Sequence, residues 1–164
     1  AQSKPGSRYR YNGFLFGFLS PVAEEISGKR YSDLLVEYII GPLGMTRTVP
    51  CPDEDLCDQI LADRAKYYRV SFGGVFQVSS YPTRLSSSAG IVSTVLDLAK
   101  FDMAMDRNLI VTGASKELMF TQSMSISGDP LPYGLGWFVQ FHKGRKLVWH
   151  YGLAPKAYSS LMLK

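Results

Sequence analysis

Apolar positions recur at helical spacing through the first third of the chain and turn to alternation in the last. Leu15, Phe18, Leu19, Val22 and Ile26 fall at helical offsets, and Gly28 stands where a C-cap would end the run, so a helix is predicted over roughly 14–27. Pro21 lies inside that span. A mid-helix proline costs about 3 kcal/mol unless it kinks or restarts the helix, so Ser20-Pro21 as N-cap and first turn is the alternative. Leu34, Leu35, Tyr38 and Ile39 predict a second helix over about 32–40, stopped by Gly41-Pro42. A third is predicted near 94–106. There Thr94 can cap, Asp97 suits the positive end of the helix dipole, and Leu98, Phe101 and Met105 form the buried stripe.

The remaining segments lack that period. Pro5 to Tyr11 reads as an extended entry, with Tyr9 and Tyr11 alternating along a half-buried path. Residues 49–90 form a long irregular stretch holding Pro50, Pro52 and Pro82, and within it the aromatic piece Tyr67 to Tyr81 has room for short strands. Near the end, Trp137 to Phe141 and Leu147 to Trp149 read as two strands joined by a glycine turn, and Tyr158 to Leu163 as a further strand. Helices first and strands last predict an α+β fold. At 164 residues the chain is expected to be one domain, or two subdomains sharing a core, with about 1–130 mainly helix and loop and about 131–164 antiparallel strands.

Composition narrows the function classes. Hydrophobic residues make up 46% and charged residues 20%, too apolar for a disordered chain. No apolar run approaches the ~20 residues that a membrane span requires. Eighteen basic residues against 14 acidic ones give +4, but the basic residues are scattered, which argues against nucleic acid as a partner. Charge clusters only at Asp53, Glu54, Asp55 and Asp58, beside Cys51 and Cys57, and reads there as a solvated loop. The cysteines have no nearby third ligand, which leaves a local disulfide or two free thiols, and no metal or cofactor is implied. Ala1 to Gly6 shows no apolar stretch of a secretion signal, and the compartment stays open.

Few side chains carry chemistry. His150 sits between Trp149 and Tyr151-Gly152 at a predicted strand end, where an imidazole near its reference pKa of ~6.5 can act as an acid or stay structural. His142 falls in the polar hairpin turn and reads as solvated. Tyr11 serves in proton transfer only if nearby cations lower its pKa from ~10. No glycine-rich phosphate loop and no Gly-x-Ser-x-Gly elbow occurs.

In order along the chain stand Pro5-Gly-Ser-Arg-Tyr-Arg-Tyr11, then Glu24 with Gly28-Lys-Arg-Tyr31, then Gly41-Pro-Leu-Gly-Met45-Thr-Arg-Thr48. Ser88-Ala-Gly-Ile-Val-Ser-Thr94, Tyr133-Gly-Leu-Gly-Trp137 and His150-Tyr-Gly152 follow. Together they resemble the serine β-lactamase and penicillin-binding-protein family, in its class C, DD-peptidase and esterase branch. The resemblance implies a β-lactamase/transpeptidase-like α+β fold and hydrolysis of an ester, amide or β-lactam through an acyl-enzyme. It makes Tyr11 the proton-relay tyrosine and His150-Tyr151-Gly152 the counterpart of a Lys-Thr-Gly strand motif. Leu153 then stands where a backbone N–H helps form an oxyanion hole.

The departures from the family pattern matter as much. No serine in the chain is followed by lysine three residues later, so the family's Ser-x-x-Lys nucleophile is missing from these residues. The chain resembles the middle-to-late part of a longer, periplasmic or secreted protein, and alone it is expected to be inactive. Gly13 occupies the third place of the Tyr-x-Asn motif, with Asn12 one position early; losing that amide favours the esterase-like branch over a true β-lactamase or DD-peptidase. A non-catalytic binding module built on the fold is the remaining alternative. Uncovered helix faces and sheet edges lead us to expect a marginal chain prone to self-association.

Overall fold

The computed structural model describes residues 3–50, 62–78, 85–154 and 158–164, so the acidic cluster and both cysteines lie outside the described residues. The chain separates into two compact units: residues 1–11, 111–154 and 158–164 form one, and residues 12–110 with 155–157 form the other.

The second unit is mainly helical. Its first helical segment is split, not continuous over 14–27: α1 spans Gly13–Phe16 and α2 spans Leu19–Ser27. The break lets Pro21 fall in the first turn of α2, where its missing N–H has no intrahelical partner to lose. No side chain at the cap position, Phe18, closes this helix start. Ser87, far away in sequence, does so instead: its hydroxyl accepts from the Ser20 amide at 2.9 Å and donates to the Phe16 carbonyl. Gly28 ends α2 in the left-handed conformation, φ 68°, as its position predicts.

The second expected helix is present but changes pitch. Helix α3 covers Tyr31–Leu35 and continues into a π-helical turn over Val36–Ile40. The wider turn carries the Gly41 amide onto the Val36 carbonyl at 2.9 Å, and a Cβ at Gly41 would meet that same oxygen. A hairpin of β1 (Tyr67–Ser71) and β2 (Gly74–Val78) occupies the aromatic segment.

Helix α4 spans Val95–Asp106, with the Thr94 hydroxyl accepting from the Asp97 amide at 3.2 Å. Of its expected buried stripe, Met105 is buried and Phe101 is half-buried, whereas Leu98 is exposed and Ala104 is buried instead. The buried side depends on what packs against the helix, which its own periodicity does not specify.

Asp97 does more than favour the helix dipole. Buried at the start of α4, its carboxylate accepts from the Arg47 amide at 2.7 Å, from the Thr48 hydroxyl at 3.0 Å and from the Lys100 ammonium at 2.8 Å. It thereby ties the Pro-Leu-Gly-Met turn to α4. Burial pushes the Asp97 pKa up, but the Lys100 hydrogen bond, the Arg47 amide, the Thr48 hydroxyl and the Lys100 charge together hold it below the usual carboxylate range. A carboxyl depressed on folding stabilises the fold above its unfolded pKa of ~3.9, and that contribution is lost as pH falls through the folded value. Asp97→Asn is therefore expected to cost about 2 kcal/mol at pH 7, the scale of hydrogen bonds to a charged group. Urea unfolding at pH 7 and at pH 3 checks both parts, because acidification should cost the native chain more than the variant.

The first unit carries a three-stranded antiparallel sheet ordered β3 (Phe138–His142), β4 (Arg145–Ala154) and β5 (Tyr158–Leu163). Lys143 and Gly144 close the β3–β4 hairpin with φ 49° and 76°, matching the right-handed twist of the strands they join. Val139 and Val148 face each other across β3 and β4, and both are buried; Trp137 and Phe120 are buried too, with rings edge to face at 5.4 Å.

One element had no prior expectation. Helix α5, Gly113–Met119, begins at a Thr112 hydroxyl that accepts from the Ser115 amide at 3.1 Å. Thr112 was its only sequence signal, and Gly113 at the first position weakened the helical pattern.

Large apolar side chains on α1, α2 and α4 are exposed, among them Phe14, Phe18, Ile26, Val95 and Leu96, and so are Leu161 and Leu163 on β5. Among the described residues no helix is long and apolar enough to cross a membrane.

Candidate functional site

Within the first unit, the chain before Tyr11, the segment around Tyr133 and the open end of β4 bring their rings together. Tyr9 stacks on Tyr133 with centroids 5.2 Å apart, and Phe138 stacks on Trp149 at 4.4 Å. Tyr11 lies over Phe138 at 5.8 Å, Tyr151 at 5.9 Å and His150 at 6.0 Å. Such offset and edge contacts contribute about 0.5–1.5 kcal/mol each beyond the area they bury, so the cluster holds its side chains in place.

Strand register explains why these rings meet. Val148 exchanges both main-chain hydrogen bonds with Lys164, so the even-numbered residues of β4 bond toward β5 and the odd-numbered ones face β3. Phe138, the first residue of β3, stands opposite Trp149. No β3 residue therefore stands opposite Tyr151 or Leu153, and their N–H and C=O groups point past the end of the strand. The aromatic cluster gathers at this open edge.

His150 is half-buried beside that edge. Its Nε2 lies 3.0 Å from the Tyr133 hydroxyl. Burial lowers its pKa, and a hydrogen bond to the Tyr151 main chain partly offsets the fall. The imidazole is accordingly neutral at pH 7.

The tyrosines shift the other way. Burial, then the neighbouring phenols Tyr11 and Tyr151, push Tyr9 to about 12. Burial, with Tyr11, Tyr9 and Tyr151 after it, raises Tyr133 as well. Tyr11 is raised by burial and by Tyr151, so the cation-lowered phenol considered from sequence does not occur here. At neutral pH Tyr11 is a phenol that can donate and accept hydrogen bonds.

Other expected site residues fall as follows. Gly152 lies in β4, where an added Cβ would stand 2.7 Å from the Ser160 hydroxyl oxygen on β5. Leu153 is exposed on the same strand. Gly13 belongs to the second unit and opens α1, while the Asn12 side chain caps that helix by accepting from the Phe14 amide at 3.2 Å. His142 is exposed at the end of β3.

Sequence reading assigned no role to Tyr133, although the residue begins the quoted Tyr-Gly-Leu-Gly-Trp segment. Gly134 places it. The Tyr133 carbonyl accepts from the Ser123 amide at 2.9 Å, the Leu135 amide donates to the Met119 carbonyl at 3.1 Å, and a Cβ on Gly134 would stand 2.2 Å from that carbonyl oxygen. Only a residue without a side chain allows the two main chains to lie this close.

Comparison with known proteins agrees with this architecture. A penicillin-binding protein of Bacillus subtilis is 27% identical over 179 residues, covering 98% of this chain and 38% of its own length. A D-aminopeptidase of Brucella canis is 26% identical over 149 residues, covering 90% of this chain and 28% of its own. Among solved structures, the octameric penicillin-binding protein homologue from Pyrococcus abyssi matches with a TM-score of 0.81 at 27% identity, over 99% of this chain and 37% of that one. A D-stereospecific amidohydrolase from Streptomyces sp. shares the fold with a TM-score of 0.74 at 21% identity, over 98% of this chain and 48% of its own. The chain thus spans well under half the length of the curated relatives it matches. The α+β architecture is the β-lactamase/transpeptidase-like one, in part, and the Beta-lactamase family matches residues 1–163: the chain belongs to that family.

Proposed function

We propose that residues 1–164 supply the substrate-positioning part of a serine hydrolase that cleaves an amide or ester through an acyl-enzyme. The observation that carries this reading is the open edge of β4, where Tyr151 and Leu153, with no β3 residue opposite them, lie beside His150 and Tyr11. Membership of the Beta-lactamase family and likeness to a D-aminopeptidase and an amidohydrolase support the reaction class.

In this reading the serine belongs to chain outside these 164 residues, because none of theirs begins a Ser-x-x-Lys motif. Its Oγ bonds to the substrate carbonyl carbon, and the carbonyl oxygen takes up negative charge. The Leu153 N–H donates to that oxygen, a contact that strengthens as the charge develops. Tyr11, protonated at neutral pH, gives its proton to the leaving group as the scissile bond breaks and recovers one from the attacking hydroxyl. Water then releases the acyl group from the serine. His150 and Tyr151 flank the substrate on the same strand.

Esters are the preferred substrates in this reading. In the third place of the Tyr-x-Asn motif, Gly13 offers no side-chain donor for a substrate amide carbonyl.

Intact mass after incubation with a reactive fluorophosphonate tests the assignment. The 164-residue chain is expected to take no adduct, and the longer protein that contains it a single one. An adduct on the short chain overturns the placement of the serine, and an unlabelled longer protein overturns the hydrolase reading. Matched ester and amide substrates test the preference: equal kcat/KM for both removes the role given to Gly13.

A further inference from the structure

The apolar side chains of the β1–β2 hairpin gather at its tip and not along one face. Val70 and Val75 stand opposite each other on one face, Phe76 lies on the other, and Phe72 forms the turn. All four are exposed, Phe72 wholly so. Ser71 is the one polar residue from Val70 to Phe76. Among the described elements, neither strand packs broadly on anything but the other.

A sheet face that another segment covers alternates along each strand, apolar toward its partner and polar away from it. Here the boundary between apolar and polar runs across the strands instead. The far end is apolar on both faces. Toward the base, Tyr68 stands opposite Gln77, Lys66 is exposed, and the Arg64 guanidinium lies 5.0 Å from the centre of the Tyr67 ring. Residues 64–78 include Arg64, Lys66 and Arg69 and no acidic residue, and Asp63 just before them is paired with Arg47 at 2.7 Å.

An apolar tip, then tyrosine, then cations along one axis is the order in which a bilayer surface presents its layers. Acyl chains begin below, aromatic rings settle at the interface, and anionic headgroups draw Lys and Arg above it. The stretch from Val70 to Phe72 rises about 7 Å, within the depth of ~5–10 Å that interfacial segments reach. At that depth water still reaches the main-chain groups of the turn, which the hydrocarbon interior would strand. The cations at the base set the sign of the surface that the hairpin meets, and the net charge of +4 draws the whole chain the same way.

We propose that the β1–β2 hairpin is a shallow membrane anchor. Phe72, Val70, Val75 and Phe76 enter the headgroup–acyl boundary of an anionic lipid surface, Tyr68 lies at the interface, and Lys66 and Arg64 meet the lipid phosphates. A single tip of this size gives weak, reversible attachment that depends on lipid charge and on salt.

The inference does not rest on the hydrolase reading, because attachment is measured without turnover. The longer protein that contains these residues is floated with vesicles of phosphatidylcholine alone and of phosphatidylcholine mixed with phosphatidylserine. It is expected to float with the mixed vesicles, far less with the neutral ones, and less as salt rises. Phe72→Ser should lower the partition coefficient by about tenfold or more, and Lys66→Gln by about fivefold. Leu96→Ser, at an exposed apolar residue on α4, should leave it unchanged. All three positions are exposed, so the variants are expected to fold as the native protein does. Failure to float with the anionic vesicles overturns the proposal and leaves the tip to a protein surface. Equal binding to both kinds of vesicle overturns it as well. So does a Phe72→Ser variant that binds like the native protein, or an equal loss in Leu96→Ser, which would mark general adhesion of bare apolar surface.

Discussion

Tyr11→Phe, in the longer protein that carries the attacking serine, is expected to lower kcat/KM for ester hydrolysis by about 10²- to 10⁴-fold, the range for loss of a general acid–base group. That is about 3–5 kcal/mol of transition-state stabilisation. The substitution isolates the hydroxyl. The Tyr11 ring lies over Phe138 and Tyr151, and phenylalanine retains both contacts, so thermal unfolding should move little. Tyr11 is partly exposed, so its hydroxyl leaves no deeply buried partner stranded when it is removed. A purely structural Tyr11 would give the opposite pattern, unchanged turnover with altered stability. Steady-state kinetics and a melting curve on the same preparation separate the two.

Gly134→Ala is expected to destabilise the first unit by about 3 kcal/mol or more, the upper end of the cost of forcing an extra methyl group into a closed space. The added carbon would stand 2.2 Å from the Met119 carbonyl oxygen and 2.7 Å from that of Thr121. Both obstacles are main chain, so no rotamer change relieves them. The segment would have to move away, breaking the Leu135–Met119 hydrogen bond and drawing Tyr133 off His150. Gly136 gives the matched control because a Cβ there meets nothing within 4 Å, although its φ of 84° still strains an alanine. Denaturant unfolding of the two variants should show the larger loss at Gly134. Equal losses would mean that backbone conformation, and not the close approach, sets the cost.

Local chemistry made part of the fold readable. Gly28 ends α2 and Thr94 starts α4 because a left-handed cap and a hydroxyl cap are properties of a few adjacent residues. The glycine turn between β3 and β4 was equally local. What failed depended on distant residues. The break before α2 is capped by Ser87, and the buried side of α4 is chosen by its neighbours. Asp97 looked like a dipole residue until the fold set the Arg47 and Thr48 donors around it.

The candidate site divides in the same way. Tyr11 and His150 were singled out as candidates only through ordered motif resemblance, since either residue alone is chemically ordinary. Tyr133 stood in a quoted motif without a role, because its partner lies 17 residues away on another element. By itself the sequence determined an α+β chain of the Beta-lactamase family, its caps and turns, and the residue types available for chemistry. Only the tertiary structure decided which rings meet, which edge of β4 stays open and which nitrogen of His150 meets the Tyr133 hydroxyl. Caps and turns depend on dihedral angles within a few residues, whereas strand register and ring packing depend on contacts between segments far apart in the chain.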